Sequence, residues 1–325
     1  MKRRQALSGM VAFSLLLETP WSKAQSSVQR TVIGLLDGGE RLEWWDAFRK
    51  QLKELGYVEG RNVTFEPRYA KGKLETLPLL ANELVQQKVA VIVTSGTAAA
   101  IAAEHATRTI PIVMASGGEQ VSRGLATSLA HPGGNVTGVA SLTADLMGKR
   151  LELLREVVPK SNRVAALWHA DNTSSQTSVR ELDGAAVRVK VAFQSFPIRD
   201  TADLPTAFAS MTREHVDAVV VVNGPEIYAE RKRIAELALK NRLPAIYGSS
   251  EYADAGGLLA YGPSYIELFR RAALFVDKIL KGAKPGDLPI EQPTNFELVI
   301  NANTARALGV TIPPSMLARA SRTIQ

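Results

Sequence analysis

The chain has 325 residues, no cysteine, and 39 basic against 32 acidic residues, which gives a formal net charge of +7. The absence of cysteine excludes a disulfide framework, a thiolate metal site and a cysteine nucleophile. The basic residues are spread along the chain, whereas a nucleic-acid-binding surface concentrates them in one patch. We therefore expect no nucleic-acid partner.

The first 24 residues have the layout of a secretory signal peptide. Basic residues at positions 2–4 precede an apolar run over 6–17, and Ser22-Lys23-Ala24 supplies the small residues of a cleavage site. The run of about 12 residues is too short to cross a bilayer of about 30 Å. The alternative, an ordinary first helix, is disfavoured because Glu, Thr and Pro at 18–20 interrupt the pattern. We predict removal of residues 1–24 and export to the periplasm, as a soluble protein that lacks the cysteine needed for a lipid anchor.

The rest of the chain predicts two series of alternating strands and helices. In the first series, apolar runs predict strands at 31–36, 63–69, 89–94, 111–115 and 136–141, and helical spacing predicts helices at 42–55, 74–87 and 97–106. The second series predicts helices at 145–158, 174–186, 202–211, 225–241 and 265–281, and strands at 163–168, 189–196, 217–223, 244–248, 258–261 and 296–300. The chain passes from the first series to the second near residues 141–149.

This alternation predicts the fold class. Strands separated by helices are expected to pair in parallel, and strands that are apolar throughout are typical of a sheet covered by helices on both faces. Two such series predict an α/β fold of two doubly wound parallel-sheet lobes joined by a hinge. We assign residues 28–143 and about 262–285 to lobe one, and residues 144–261 and about 286–325 to lobe two. The proline- and glycine-rich segment 282–294 is expected to connect them.

The ends of the predicted strands indicate a binding cleft. Ligands of parallel sheets bind beyond the carboxyl ends of the strands, and helices that begin there can present free N–H groups to an anion. For any single position, an ordinary turn or helix cap is the alternative. The candidate ligand-binding residues are Asp37, Gly38, Ser95, Gly96, Thr97, Ser116, Gly117, Ser141, His169, Asp171, Asn172, Asn223, Gly224, Ser249, Glu251 and Tyr261.

Catalytic patterns are missing from the sequence. It contains no phosphate loop or dinucleotide fingerprint and no nucleophile elbow. The four histidines are scattered, and no two have the i, i+4 spacing of a helical metal site. We therefore expect no cofactor, no metal and no catalytic residue. An exported hydrolase remains an alternative, for which His169 and Asp171 are the only acid and base candidates.

Six segments spread over almost the whole mature chain carry a family resemblance. They are Leu55-Gly-Tyr-Val-Glu-Gly-Arg-Asn62, Thr109-Ile-Pro-Ile-Val113, Ser128-Leu-Ala-His-Pro-Gly-Gly-Asn-Val-Thr-Gly138, Lys149-Arg-Leu-Glu-Leu-Leu154, Asn295-Phe-Glu-Leu-Val-Ile-Asn301 and Ala307-Leu-Gly-Val-Thr-Ile-Pro-Pro314. Together they resemble the substrate-binding proteins of ABC importers, in the group that includes tryptophan- and tyrosine-binding members. The resemblance implies a type I periplasmic binding fold with three hinge strands. It also implies capture of a small solute and its delivery to an ABC permease in the inner membrane.

The chain departs from the usual family pattern at two predicted cleft positions. Glu119-Gln120-Val121 stands where the family usually has Asp-Pro-Val, and His169-Ala170 stands where an Asn-Pro pair is common. The ligand class therefore stays broad: an amino acid or a related small carboxylate or amide. We predict a non-catalytic, monomeric receptor that captures this ligand between two lobes. A second alternative is a sensor component that presents its ligand-bound form to a membrane receptor.

Overall fold

The computed structural model describes residues 30–325, so the predicted signal peptide at 1–24 lies outside the described residues. The strands of lobe one are β1 (Thr31–Asp37), β2 (Val63–Tyr69), β3 (Val91–Ser95), β4 (Ile112–Ser116) and β5 (Val136–Gly138). Its helices are α1 (Leu42–Glu54), α2 (Leu77–Gln86) and α3 (Thr97–Ala106). The strands all pair in parallel, in the order β2-β1-β3-β4-β5.

Lobe two contains a seven-stranded sheet. Its strands are β6 (Arg163–His169), β7 (Ala192–Ile198), β8 (Ala218–Val221), β9 (Ala245–Tyr247), β10 (Leu259–Pro263), β11 (Phe296–Asn301) and β12 (Arg322–Ile324). The helices of the second half of the chain are α4 (Met147–Val157), α5 (Thr173–Arg188), α6 (Leu204–Arg213), α7 (Pro225–Ala229), α8 (Arg231–Lys240), α9 (Ser250–Asp254), α10 (Tyr265–Leu280), α11 (Ala302–Leu308) and α12 (Pro314–Arg319). The strand order is β12-β11-β10-β9-β8-β6-β7. The two α/β lobes confirm the predicted fold class.

One strand pair corrects the expectation that all strands pair in parallel. β10 and β11 are antiparallel, with Leu259 opposite Ile300 and Pro263 opposite Phe296. The reason is the path of α10, which leaves the second sheet after β10 and packs on α1 and β4 of lobe one. The chain then returns from lobe one and enters the second sheet from the opposite end. A helix between two strands predicts a parallel pair only when that helix packs on the same sheet.

Several short elements differ from the sequence-based expectations. In place of the single helix predicted over 225–241, the structure has two helices, α7 and α8, that meet at Glu230. Four elements of three to seven residues, α9, α11, α12 and β12, were not predicted. Hydrophobic periodicity needs a window of about 11–18 residues to identify a helix, and these elements are too short to supply one.

Between residues 30 and 325 the chain crosses between the lobes three times. The first crossing joins β5 to α4, the second joins β10 to α10, and the third leads to β11. The first and third crossings run side by side, because Ala140 N donates to Glu291 O at 2.8 Å and Glu291 N donates to Gly138 O at 2.9 Å. Before the third crossing, Thr137 Oγ1 of lobe one donates to the Leu288 carbonyl at 2.7 Å. The residue ranges assigned to each lobe from the sequence stay a prediction.

One apolar cluster is continuous across the two lobes. It includes Trp44 and Phe48 of α1, Phe269 of α10, and Tyr228 and Tyr252 of lobe two. The lobes therefore contact each other at the end of the cleft where these aromatic side chains lie. None of the helices between residues 30 and 325 is both long and apolar enough to span a membrane.

Candidate ligand-binding cleft between the lobes

A cleft lies between the carboxyl ends of the two sheets and has a free volume of about 110 Å³. Both lobes contribute to its lining, as expected for parallel sheets whose carboxyl ends face each other. Ten of the sixteen predicted residues line it. They are Gly38, Ser95, Gly96, Thr97, Ser116, Gly117, Ser141, Asn172, Asn223 and Gly224.

On lobe one, the polar centre of the cleft is the junction of β3 and α3. Gly96 has φ +89°, a conformation that favours glycine, and it precedes the first residue of α3. The Ser95 hydroxyl is buried and has no hydrogen-bond partner among residues 30–325. Thr97 Oγ1 accepts a hydrogen bond from Gly118 N at 3.0 Å, which holds the loop after β4 against this junction. A free hydroxyl beside the first N–H groups of a helix is suited to an anion such as a carboxylate.

The neighbouring loop connects this junction to the first crossing. Ser141 Oγ donates to the Gly117 carbonyl at 3.0 Å and lies 3.1 Å from Thr143 Oγ1. Glu119 also lines the cleft, and its carboxylate is paired with Arg123 Nε at 2.8 Å. The charge of Glu119 at the first departure from the family pattern is therefore balanced within lobe one.

On lobe two, two asparagines face the cleft. Asn172 caps α5, because its Oδ1 accepts from Ser174 N at 3.1 Å and from Ser175 N at 3.2 Å. Asn223 follows β8, and its buried Oδ1 has no donor anywhere in the described part of the chain. A carboxamide oxygen in this position can accept a hydrogen bond from a ligand amine.

The other end of the cleft is an aromatic wall, defined here as Trp44, Tyr228 and Tyr265. The Trp44 and Tyr265 rings stack with centroids 4.2 Å apart and an angle of 7° between their planes. The Tyr228 ring lies 4.9 Å from Trp44 at 55°. Because adjacent residues of a helix point in different directions, one of the two tryptophans at 44 and 45 is predicted to border the cleft opening. Tyr228 and Tyr265 were not selected as ligand-binding candidates.

Arg41 lines the cleft beside this wall and was also missed. Its guanidinium lies over the Trp44 ring, with Cζ 4.9 Å from the centroid, and forms a buried ion pair with Asp37. Burial opposes the positive charge, but the Asp37 carboxylate outweighs it and raises the pKa of Arg41. Asp37 itself does not line the cleft. Its carboxylate accepts from Arg41, from Gly39 N at 2.8 Å and from Trp45 Nε1 at 2.9 Å, so it positions Arg41.

Three further predicted residues do not line the cleft. Ser249 occupies the N-cap position of α9, and its buried hydroxyl has no hydrogen-bond partner among residues 30–325. Glu251 Oε1 accepts a hydrogen bond from Trp44 Nε1 at 2.7 Å. Tyr261 packs on Phe296 at a ring distance of 6.1 Å.

The two residues that a hydrolase would need also lie outside the lining. His169 Nε2 is 2.9 Å from the Arg199 carbonyl, and its Nδ1 is 4.0 Å from Glu226 Oε1. Asp171 is exposed, and its carboxylate lies 3.7 Å from Arg199 Nε. Both side chains thus contact Arg199, His169 at its carbonyl and Asp171 at its guanidinium, rather than each other. Within the described ranges, no three His, Cys, Asp or Glu side chains are grouped so that they could hold a metal ion.

The comparisons with known proteins agree with this architecture. The sequence pattern of the family "ABC transporter substrate binding protein" matches residues 30–324. A tyrosine-binding protein of Clostridioides difficile is 27% identical over 261 residues, which cover 80% of this chain and 75% of that protein.

Two solved structures have the same fold. An ABC domain from Streptococcus pneumonia in complex with L-Trp is 25% identical to this chain, with a TM-score of 0.83. The aligned region covers 91% of this chain and 100% of that domain. A conserved domain protein from Vibrio cholerae is 26% identical, with a TM-score of 0.84 and the same coverage. Because the family pattern extends over nearly all the described residues, the chain belongs to the ABC transporter substrate-binding protein family.

Proposed function

We propose that the protein is an exported, monomeric receptor that binds an amino acid, or a related small carboxylate or amide, and delivers it to an ABC permease. Family membership supports the receptor role, and the signal-like residues 1–24 support export to the periplasm. The observation that carries the choice of ligand is the buried Ser95 hydroxyl beside the first turn of α3, which lacks a partner within the described chain.

In this proposal, the ligand carboxylate binds at the β3–α3 junction. Ser95 Oγ and the first N–H groups of α3, at Thr97 and Ala98, donate to it, and the helix dipole favours the negative charge. The ammonium group faces lobe two, where Asn223 Oδ1 accepts from it. Asp145, an exposed carboxylate at the edge of the same cleft, adds a favourable charge.

The ligand side chain packs on the aromatic wall. Trp44, Tyr228 and Tyr265 line the apolar end of the cleft next to the Arg41 guanidinium. One relative is named a tyrosine-binding protein and another structure holds L-Trp. L-Tyrosine and L-tryptophan are therefore the first ligands to test.

Binding and lobe closure are coupled in this mechanism. A ligand that contacts residues of both lobes stabilises the arrangement in which they are close, and it does so only by its difference in affinity for the closed and open states. The permease then recognises the closed receptor. A sensor component would use the same closure, so uptake of the labelled ligand by cells with and without this gene separates the two roles.

The direct test uses residues 25–325 and a thermal-shift panel of the L-amino acids, their amides and the matching carboxylates without an amine. A ligand at 100 times its Kd adds about 2.7 kcal/mol to the free energy of unfolding. We expect a rise in Tm with at least one amino acid, confirmed by titration calorimetry, and a weaker response to its amide. No response to any amino acid would overturn the proposed ligand class, and consumption of the ligand would support the hydrolase.

Ser95→Ala tests the carboxylate site. Loss of a hydrogen bond to a charged group costs about 1.5–3 kcal/mol, so we expect Kd to rise about tenfold or more. The matched control is Ser315→Ala, an exposed serine of α12 in lobe two, which should leave Kd unchanged. Equal affinity of the wild type and Ser95→Ala would place the carboxylate elsewhere in the cleft.

A further inference from the structure

Two aromatic side chains of the cleft each donate a hydrogen bond to a carboxylate of the opposite lobe. Trp44 of lobe one donates from Nε1 to Glu251 Oε1 of lobe two at 2.7 Å. In the other direction, the Tyr228 hydroxyl of lobe two donates to Glu43 Oε1 of lobe one. We propose that these four residues form a reciprocal latch that couples ligand contact to lobe closure, an inference that rests on the proposed receptor function.

The first half of the latch connects the ligand-facing ring to lobe two. The Trp44 ring lines the cleft, stacks on Tyr265, and is only 1% exposed. Its N–H reaches Glu251 in the first turn of α9. A ligand that packs on the indole therefore contacts a ring whose edge is held by the other lobe.

The second half mirrors this arrangement. Glu43, next to Trp44 on α1, accepts from the Tyr228 hydroxyl, and Arg231 of α8 lies 3.7 Å from the same oxygen. Burial, together with the negative charges of Glu251 and Glu43, raises the pKa of Tyr228. The hydroxyl thus stays protonated and serves as a donor. Since Tyr228 also lines the cleft, both lobes supply one ligand-facing ring and one carboxylate acceptor.

The latch does not hold the lobes closed permanently. Glu251 Oε2 is buried and has no donor among the residues that the structure describes. Closure therefore removes water from this carboxylate, which gains only the hydrogen bond from Trp44 Nε1 in exchange. Dehydration of a carboxylate offsets much of what its hydrogen bond contributes. The four residues alone therefore do not fix the lobes together, and ligand contacts with the two rings add to the closed state. The latch should slow ligand release, whereas the encounter with an open cleft does not involve it.

The kinetic test uses variants that delete one donor and keep the ring. Trp44→Phe and Tyr228→Phe should each raise koff about tenfold, the loss expected for a hydrogen bond to a charged group, and leave kon within about twofold. Glu251→Gln keeps a side-chain oxygen acceptor and should retain slower release than Glu251→Ala. The matched control is Tyr57→Phe, which deletes a hydroxyl bond to Asp277 at 3.0 Å on a surface away from the cleft. It should leave both rates unchanged.

A second readout does not depend on the identity of the ligand. Because the chain has no cysteine, Leu79→Cys and Val187→Cys introduce two unique labelling sites on exposed positions, one in each lobe. Double electron–electron resonance measures the distance between two spin labels attached at these positions. Without ligand, the distribution should include a short distance that corresponds to closed molecules. The fraction of molecules with this distance should decrease in Trp44→Phe and Tyr228→Phe. Equal distance distributions in all variants, or no closed population in the wild type, would overturn the latch. A third outcome separates the two proposals. If no amino acid raises Tm but the distances change in the latch variants, the proposed ligand class is rejected and the latch is not.

Discussion

Glu226 Oε1 lies 4.0 Å from His169 Nδ1 behind the lobe-two wall of the cleft, and both side chains are buried. Neither carboxylate oxygen of Glu226 has a hydrogen-bond partner within residues 30–325. Gly72 of lobe one approaches the same side chain, since a Cβ at Gly72 would be 3.6 Å from Glu226 Cγ. The glutamate is thus enclosed by both lobes, with His169 and the more distant Arg41 as its positively chargeable neighbours.

This burial predicts a pH-dependent stability. Burial raises the pKa of Glu226 above 4.5, so the folded protein binds this proton more tightly than the unfolded chain does. The contribution of Glu226 to the free energy of unfolding is therefore most favourable below pH 4.5, and it falls as pH rises through the raised pKa. We expect Glu226→Gln to stabilise the protein at pH 8 and to have little effect at pH 4, as measured by urea unfolding.

The control for this prediction is Glu236→Gln, an exposed glutamate of the neighbouring α8. It should change the free energy of unfolding by less than about 0.5 kcal/mol at both pH values. A Glu226→Gln variant with the same stability difference at pH 4 and pH 8 would show that ionisation of this group does not affect folding.

The Asp37–Arg41 pair gives a second prediction. Both side chains are buried, and Asp37→Asn would leave the Arg41 guanidinium without its counter-charge. Breaking a buried pair by removing one partner costs about 3–5 kcal/mol, so we expect a loss of that size in chemical unfolding. The matched variant is Asp46→Asn in α1, whose pair with Arg49 is exposed. Removal of that pair should cost about 0–1 kcal/mol, and an equal loss from both variants would contradict the prediction.

A third prediction concerns the end of β5. Gly138 has φ +128°, and a Cβ there would lie 2.2 Å from the Met114 carbonyl oxygen of β4. Gly138→Ala must therefore displace backbone as well as adopt a strained conformation, and we expect a loss of about 3 kcal/mol or more in urea unfolding. In Gly134→Ala the new Cβ would meet no atom of the described chain within 4 Å. That variant should change the free energy of unfolding by less than about 0.5 kcal/mol. Similar losses of stability in the two variants would show that the close approach of Gly138 to β4 does not cause the loss.

The sequence predicted the elements that are long and periodic, because their burial follows from spacing alone. Trp45, Phe48 and Leu52 of α1 are fully buried at the predicted helical spacing. The polar tips of the strands were also accessible to prediction, since the carboxyl ends of parallel strands meet at one edge of a sheet. Ser95 and Asn223 were selected in this way, and both line the cleft.

The aromatic wall and the antiparallel strand pair could not be predicted in the same way, because both depend on how separate parts of the chain meet. Trp44 and Trp45 are neighbours and both are buried, so composition does not reveal that only Trp44 lines the cleft. The direction of β11 depends on α10 packing against the other lobe. Hydrophobic periodicity shows that α10 is buried on one face but does not identify the surface that covers it.

Arg150 carries the fourth prediction. Its side chain is completely buried in α4, Nε donates to the Tyr261 carbonyl at 2.8 Å, and Nη1 contacts the Thr143 carbonyl at 3.4 Å. Thr143 lies in the first crossing and Tyr261 in β10, the strand that leads into the second, so one side chain joins the first crossing to β10. Burial lowers the pKa of Arg150 to about 10, which leaves it positively charged at neutral pH.

Arg150→Met keeps an apolar stem of similar length but removes the donors to both carbonyls. Buried acceptors that lose their donors cost about 1–3 kcal/mol, and relief from burying the charge offsets part of this loss. We expect a net decrease of about 1–3 kcal/mol in the free energy of unfolding at pH 7. Because the first crossing loses its link to β10, the distance distribution between the lobes, measured with the same spin labels, should also broaden.

The matched control is Lys149→Met, the adjacent basic residue of α4, whose pair with Glu152 is partly exposed. It removes the same charge from the same helix but contacts neither Thr143 nor Tyr261. It should therefore change the free energy of unfolding by less than about 0.5 kcal/mol and leave the interlobe distances unchanged. If Arg150→Met lowered the stability but left the distances unchanged, Arg150 would stabilise lobe two alone. If both variants broadened the distances equally, the effect would come from the loss of charge and not from the hydrogen bonds to Tyr261 and Thr143.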